Sequence, residues 1–264
     1  MSTLLITGCS GAFGGNYAKR MLDEGHEVIS IRHDEAPVDT ASLLGIRDKI
    51  TWVRGSILDA NLCKRIVADY GINEIVHFAA LPIVSAATRT AVPIFECNIL
   101  GTIHLLEAVK DNYFAGKDIK FVMVSTDKSY GDAGNRPYTE NMPLCGLGVY
   151  DASKSCADLI ARSYHSCGYA PYLAVVRPCN LICRGDMNLG RVLPRTILPG
   201  LRGENPVLYK TSYLREFIDV DDAVEGVYLL SKSMAKHNVN GEAFNVGSGH
   251  QRGLEQMVSA VLKH

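Results

Sequence analysis

The sequence predicts an α/β protein: a doubly wound parallel sheet with helices on both faces and a small C-terminal lobe. Three observations predict it. Short β-branched runs alternate with helical stretches through the first half of the chain. Those runs are continuously apolar, as strands covered on both faces are. The first run leads at once into a glycine-rich turn that opens a helix.

Residues 3–7 read as the first strand and 13–24 as the first helix. Strands follow at 27–31, 51–54, 75–78 and 120–125, with helical periods at 60–70 and 92–111. The 92–111 helix has Phe95, Ile99, Ile103 and Leu106 on one stripe, widened by Leu100, Leu105 and Val109. An arc that wide suggests burial on two sides, one against the sheet and one against a second subunit. A helix over 150–167 and a strand over 172–176 follow. Residues 186–203 carry glycine and proline interruptions, 217–231 read as a strand end plus helix, 243–246 as a strand, and 254–262 as a closing helix. The division expected is a cofactor-binding domain over 1–178 and a mainly substrate-binding lobe over 179–264, with segments returning to the first.

Among 264 residues, 47% are hydrophobic and 21% charged, and the formal net charge is −1. That balance is ordinary for a globular chain and supplies no field to draw nucleic acid or anionic membrane. The N-terminal apolar run is too short for a signal segment, and no stretch reaches spanning length without a charge. The chain is therefore expected in the cytoplasm, away from membranes. Its eight cysteines include no C-x-x-C pair. Only Cys179 and Cys183 stand near one another, so the expectation is reduced thiols and no metal.

The turn Thr7-Gly8-Cys9-Ser10-Gly11-Ala12-Phe13-Gly14 sits between strand and helix. Gly8 allows the tight turn, Gly11 lets backbone approach a pyrophosphate, and Gly14 permits close helix–strand packing. The helix N-terminus offers N–H groups to phosphates. The pattern predicts a Rossmann dinucleotide site in which Gly8, Ser10, Gly11, Ala12, Phe13 and Gly14 bind cofactor. Arg32 stands 18 residues after Gly14, where an NAD site normally places a carboxylate. A cation there suits a 2′-phosphate and favours NADP over NAD, with Asp34 or Glu35 as the alternative ribose partner.

Tyr150 and Lys154 are four apart at the start of a helix and share a face. A nearby ammonium favours the phenolate, which can take a proton from a sugar hydroxyl while a nicotinamide takes the hydride.

With these motifs in view, the chain resembles the extended short-chain dehydrogenase/reductases, the NAD(P)-dependent epimerases and dehydratases of nucleotide-sugars. The resemblance rests on TGCSGAFG at 7–14, VHFAA at 76–80, NILGT at 98–102, VSTDKSYG at 124–131, YDASK at 150–154, VRPCN at 176–180 and REFIDVDDA at 215–223. It implies Thr126, Tyr150 and Lys154 as a catalytic trio. Ser56, Ile57, Ala79, Ala80 and Asn98 are implied at the cofactor; Ser56 stands where relatives often carry an aspartate near adenine. Asn180, Arg191 and Arg215 are implied on the nucleotide-diphosphate sugar. The family usually continues into a larger C-terminal lobe after Phe244–Gly249, so the expectation is a trimmed lobe or one completed by a partner.

Dehydratases familiar in this family carry Asp-Glu after the threonine; here the pair is Asp127-Lys128. Thr-Asp-Lys resembles another dehydratase subset, including the CDP-glucose and some UDP-sugar enzymes. The reading favoured is 4,6-dehydration, with Asp127 protonating the leaving C6 hydroxyl and Lys128, made neutral in part by burial beside Lys154, taking the C5 proton. If the two merely pair in a loop, a 4-epimerase is the alternative. An NADP(H)-binding redox sensor without turnover is the second. A homodimer is expected through the 92–111 and 150–167 helices.

Overall fold

The computed structural model describes residues 1–82, 90–134, 136–207 and 214–263. In chain order the elements begin β1 (Thr3–Thr7), α1 (Ala12–Asp23), β2 (Glu27–Arg32), α2 (Thr40–Leu43), β3 (Thr51–Arg54), α3 (Ala60–Asp69) and β4 (Glu74–His77). Next come α4 (Val92–Phe95), a π turn (Glu96–Leu100), α5 (Gly101–Phe114), β5 (Lys120–Val124), a 3-10 turn (Asp127–Tyr130) and α6 (Val149–Ser166). The chain continues with β6 (Leu173–Pro178), β7 (Asn180–Ile182), α7 (Val192–Gly200), β8 (Leu214–Asp219), α8 (Val220–Ser233), β9 (Ala243–Val246), β10 (Gln251–Gly253) and α9 (Leu254–Val261).

Seven strands form one parallel sheet in the order β3-β2-β1-β4-β5-β6-β9. The alternation of side chains along each strand builds two cores. Leu5, Ile75, Phe121 and Val175 face α3, α5 and α6, whereas Leu4, Ile6, Val122 and Val176 face α1 and α8. Every one of them is buried, which is why these strands read as unbroken apolar runs. β10, β8 and β7 make a second, three-stranded sheet, and α7 packs on α9 beside it.

The strand order reverses direction between β1 and β4, so a crevice opens at their C-terminal ends. The α4–α5 run, Val92–Phe114, has 23 residues, and an 18-residue window within it has a mean hydropathy of 1.3, enough by length and composition to cross a membrane. Here its inner face lies against α3 and α6. The π turn within it, the three-residue strands β7 and β10, and α7 inside the interrupted 186–203 stretch were not anticipated. Each is too short or too irregular to leave a period.

Candidate active site

The glycine turn has the shape a dinucleotide pyrophosphate needs. Gly8 has φ +79°, and a Cβ on it would lie 2.9 Å from the Ala79 backbone nitrogen. A Cβ on Gly14 would run into the Gly8 carbonyl. Gly11 is exposed and caps α1 without a side-chain hydrogen bond, so the N–H groups of the first turn point to the crevice mouth for an anion. Ser10 is exposed beside it, and Ala12 and Phe13 are half-buried. These residues fit a nicotinamide dinucleotide.

A buried histidine fastens the two strands at the switch point. The Ala79 N–H donates to Thr7 Oγ1 (3.1 Å), which bonds His77 Nδ1 (2.8 Å). On the other side His77 Nε2 bonds Thr102 Oγ1 (3.0 Å), which donates to the Asn98 carbonyl (2.7 Å). Every hydroxyl proton in this chain is placed only if His77 is neutral with its hydrogen on Nε2. Burial, and then the charge of Lys154, push its pKa down from 6.5 to about 3. A depressed folded pKa means that the unfolded chain binds the proton first. The stability is then complete above pH 6.5 and is lost as pH falls toward 3, on the order of 5 kcal/mol at 1.4 kcal/mol per unit. The His77 imidazole resonance, assigned by its absence in His77→Gln, is expected to stay neutral down to pH 4. Titration near pH 6.5 in the folded protein would overturn the assignment.

The chemistry gathers where β5 ends and α6 begins. Thr126 is buried, with its Oγ1 donating to Asp127 Oδ1 (3.1 Å) and accepting from the Lys128 N–H (3.3 Å). Thr126 thus caps the 3-10 turn that carries Asp127 and Lys128. Burial raises the Asp127 pKa; Lys128, the Thr126 bond and Arg215 oppose that rise. Tyr150 stands in the first turn of α6. Burial pushes its phenol up to about 12, against the pull of Arg191 and with a contribution from Asp127. Asp127 and Tyr150 therefore lie within electrostatic reach of each other.

Lys154 is 3% exposed, donates to the Val124 carbonyl (2.6 Å), and is pushed down to about 8 by burial, opposed by Asp158. The depressed phenol expected from the neighbouring ammonium is not found in the protein alone. Burial is the largest influence on the phenol, and the Lys154 ammonium is turned to the Val124 carbonyl.

The small sheet carries Asn180 and Arg215, and Arg191 precedes α7; these are the three residues assigned to substrate from the sequence. Asn180 Nδ2 donates to the Glu216 carbonyl (2.9 Å), tying β7 to β8. Arg191 donates to Asp186 Oδ2 (3.0 Å) at the start of α7. Arg215 lies in β8, with Nη1 on the Leu214 carbonyl (3.0 Å). The charge of Arg191 acts on Tyr150, lowering its pKa, and that of Arg215 acts on Asp127 in the same direction.

The remaining residues assigned from the sequence have these surroundings. Arg32 does not stand open to a phosphate: its side chain is 9% exposed, Nη2 pairs with Asp39 (3.0 Å), Nε donates to the Asp34 carbonyl (3.2 Å), and the guanidinium lies 5.0 Å over the Trp52 ring. Asn98 is 1% exposed and gives its amide to the structure. Its Oδ1 accepts from the Leu81 N–H (2.8 Å), and Nδ2 donates to the Leu81 carbonyl (3.2 Å) and Ser153 Oγ (2.9 Å). It buttresses the crevice wall rather than offering a polar group to cofactor. The Ile57 side chain packs beneath Gly101, and its carbonyl bonds His104 Nδ1 (2.9 Å). Ser56 is half-buried, its Oγ accepting from the Leu58 N–H (3.1 Å). Ala79 and Ala80 are half-buried at the crevice. All eight cysteines are unbridged, and burial pushes the Cys179 and Cys183 thiols up to about 12. No group of three potential metal ligands occurs among the described residues.

Comparison with known proteins points to the same family as the motifs. A family model described as GDP-mannose 4,6 dehydratase matches residues 5–264. The chain is 30% identical over 272 residues to dTDP-glucose 4,6-dehydratase of Xanthomonas campestris pv. campestris (strain B100), covering 99% of this chain and 75% of that protein. It is 32% identical over 263 residues to dTDP-glucose 4,6-dehydratase of Streptomyces antibioticus, covering 93% and 72%. A crystal structure of dTDP-glucose 4,6-dehydratase from Bacillus anthracis str. Ames in complex with NAD superposes with a TM-score of 0.85 at 26% identity, covering 100% of this chain and 81% of that one. The chain belongs to the GDP-mannose 4,6 dehydratase family, within the extended short-chain dehydrogenase/reductases that act on nucleotide-sugars.

Proposed function

We propose that the protein is a nucleotide-sugar 4,6-dehydratase whose first substrate to test is dTDP-glucose. The observation that carries this reading is Asp127, a carboxyl raised by burial, held on a short turn within electrostatic reach of Tyr150. An acid for expelling water thus shares one site with the base for oxidation. The relatives named above support the nucleotide.

Tyr150 takes the C4 hydroxyl proton and Thr126 orients that hydroxyl. Gly8, Gly11 and Gly14 would hold the dinucleotide, which would supply a hydride acceptor for C4 and then a hydride donor for C6 of the alkene, Lys128 giving its proton back to C5. A C4 ketone acidifies the C5 proton. Lys128 removes it, while Asp127 protonates the C6 hydroxyl as it leaves as water. Asn180, Arg191 and Arg215 fix the diphosphate side.

We assign NAD rather than NADP, because Asp39 neutralises Arg32 and a 2′-phosphate would meet a committed cation. Calorimetric titration is expected to show NAD binding at least about tenfold tighter; the reverse order restores the NADP reading. A two-fold dimer through α5 and α6 is supported by the exposed apolar side chains Leu100, on the π turn that leads into α5, and Leu159 on α6, and light scattering tests it.

Mass spectrometry after incubation with dTDP-, GDP-, UDP- and CDP-hexoses tests the reaction. Loss of one water from one of them is expected. An isomer of unchanged mass means an epimerase, and bound cofactor with no turnover means a sensor.

A further inference from the structure

The family motifs leave one buried polar chain without a task. Arg177 (β6) and Asp158 (α6) are 1% and 0% exposed and form a bidentate ion pair, Nε to Oδ2 at 2.9 Å and Nη2 to Oδ1 at 2.8 Å. Arg177 Nη1 donates to the Tyr130 hydroxyl (2.7 Å), and its guanidinium lies 4.9 Å over the Tyr130 ring. The Tyr130 hydroxyl in turn donates to Asn245 Oδ1 (2.8 Å) on β9. Tyr130 is the last residue of the turn that begins with Asp127. Asp158 lies one helical turn beyond Lys154 on the same face of α6.

Such a pair is poor evidence for stability, because desolvating both charges offsets their attraction, and apolar residues would fill the space as well. Apolar residues would not fix a direction. A bidentate fork followed by a directed phenol bond does. The chain joins the two halves of the reaction: Asp158 stands on α6, which carries oxidation, and Tyr130 on the turn that carries elimination.

We propose that Asp158, Arg177, Tyr130 and Asn245 form a positioning device that holds the elimination turn in register with the oxidation helix, with Tyr130 as the positioning residue for water loss. This rests on the dehydratase reading. Ser155 Oγ donates to the Ser129 carbonyl (2.9 Å) as a second tie between helix and turn, so removing the Tyr130 hydroxyl loosens the turn without releasing it. Tyr130→Phe keeps the ring and its stacking on Tyr138, centroids 5.0 Å apart, and is expected to fold.

The test is single-turnover mass spectrometry of the full chain with dTDP-glucose, separating the oxidised hexose, two hydrogens lighter, from the dehydrated product. Tyr130→Phe is expected to oxidise C4 within about twofold of the parent and to lose water about tenfold more slowly, as a small misplacement of a catalytic group does. The oxidised, undehydrated hexose then accumulates, with the melting temperature nearly unchanged. Asn245→Ala, acting from the other end, is expected to shift the same ratio by a smaller factor. An unchanged ratio in both variants, whether both steps slow together or neither does, overturns the proposal. A parent enzyme that inverts C4 without losing water overturns the dehydratase reading instead, and the proposal with it.

Discussion

Tyr150→Phe is expected to lower the rate of C4 oxidation by about 10³-fold, the middle of what a positioned general base contributes. The substitution removes one oxygen from a half-buried ring and changes little else. Lys154 keeps its bond to the Val124 carbonyl and the glycine turn is untouched, so cofactor affinity should stay within about twofold of the parent. Burial holds the phenol near 12 in the protein alone. The proton therefore leaves only once substrate and cofactor have changed the surroundings. Tyr130 does not stand in for it: its hydroxyl is committed to Arg177 and Asn245. Rapid-quench measurement of C4 oxidation decides the matter. A loss of less than tenfold, with binding intact, removes Tyr150 from the role of base.

The parts of this site that were legible in the sequence are those written locally. The glycine turn spans eight consecutive residues, and the Tyr150–Lys154 spacing is one helical turn. The parallel sheet was legible because burial on both faces leaves unbroken apolar runs such as Leu4-Leu5-Ile6. Polar pairing across the fold leaves no such trace. Arg177 and Asp158 are 19 residues apart, and Tyr130 and Asn245 are 115 apart. No period links them; only the sheet order does. The partner of Arg32 was hidden for the same reason: its place at the end of β2 suggested a phosphate, and the pairing with Asp39, seven residues on, shows only in the fold. His77 lay in a recognised motif, yet its neutral state follows from Thr7 and Thr102, which flank it only after β1 and α5 have packed. Asn98 was read as a ligand because the π turn that aims it at Leu81 and Ser153 is invisible to a 3.6-residue period.

Asp127→Asn separates the two half-reactions from the acid side. The variant keeps the shape of the turn and cannot deliver a proton to the C6 hydroxyl, so water loss is expected to fall by about 10²- to 10³-fold. Oxidation at C4 is expected to survive or quicken at neutral pH, because the Asp127 charge helps hold the Tyr150 phenol up. Two pH signatures follow from the raised carboxyl. Elimination by the parent needs the protonated acid, so its rate should decline as pH rises through the raised Asp127 pKa; the variant should lack that limb. A carboxyl whose folded pKa lies above its unfolded value stabilises the fold below the unfolded pKa, and that stability is lost as pH rises through the folded pKa. The neutral amide removes this loss, so Asp127→Asn should melt higher than the parent at pH 7 while failing to dehydrate. A variant that still expels water at the parent rate would show that the proton reaches C6 from another donor, and would leave Asp127 only as the partner of Thr126.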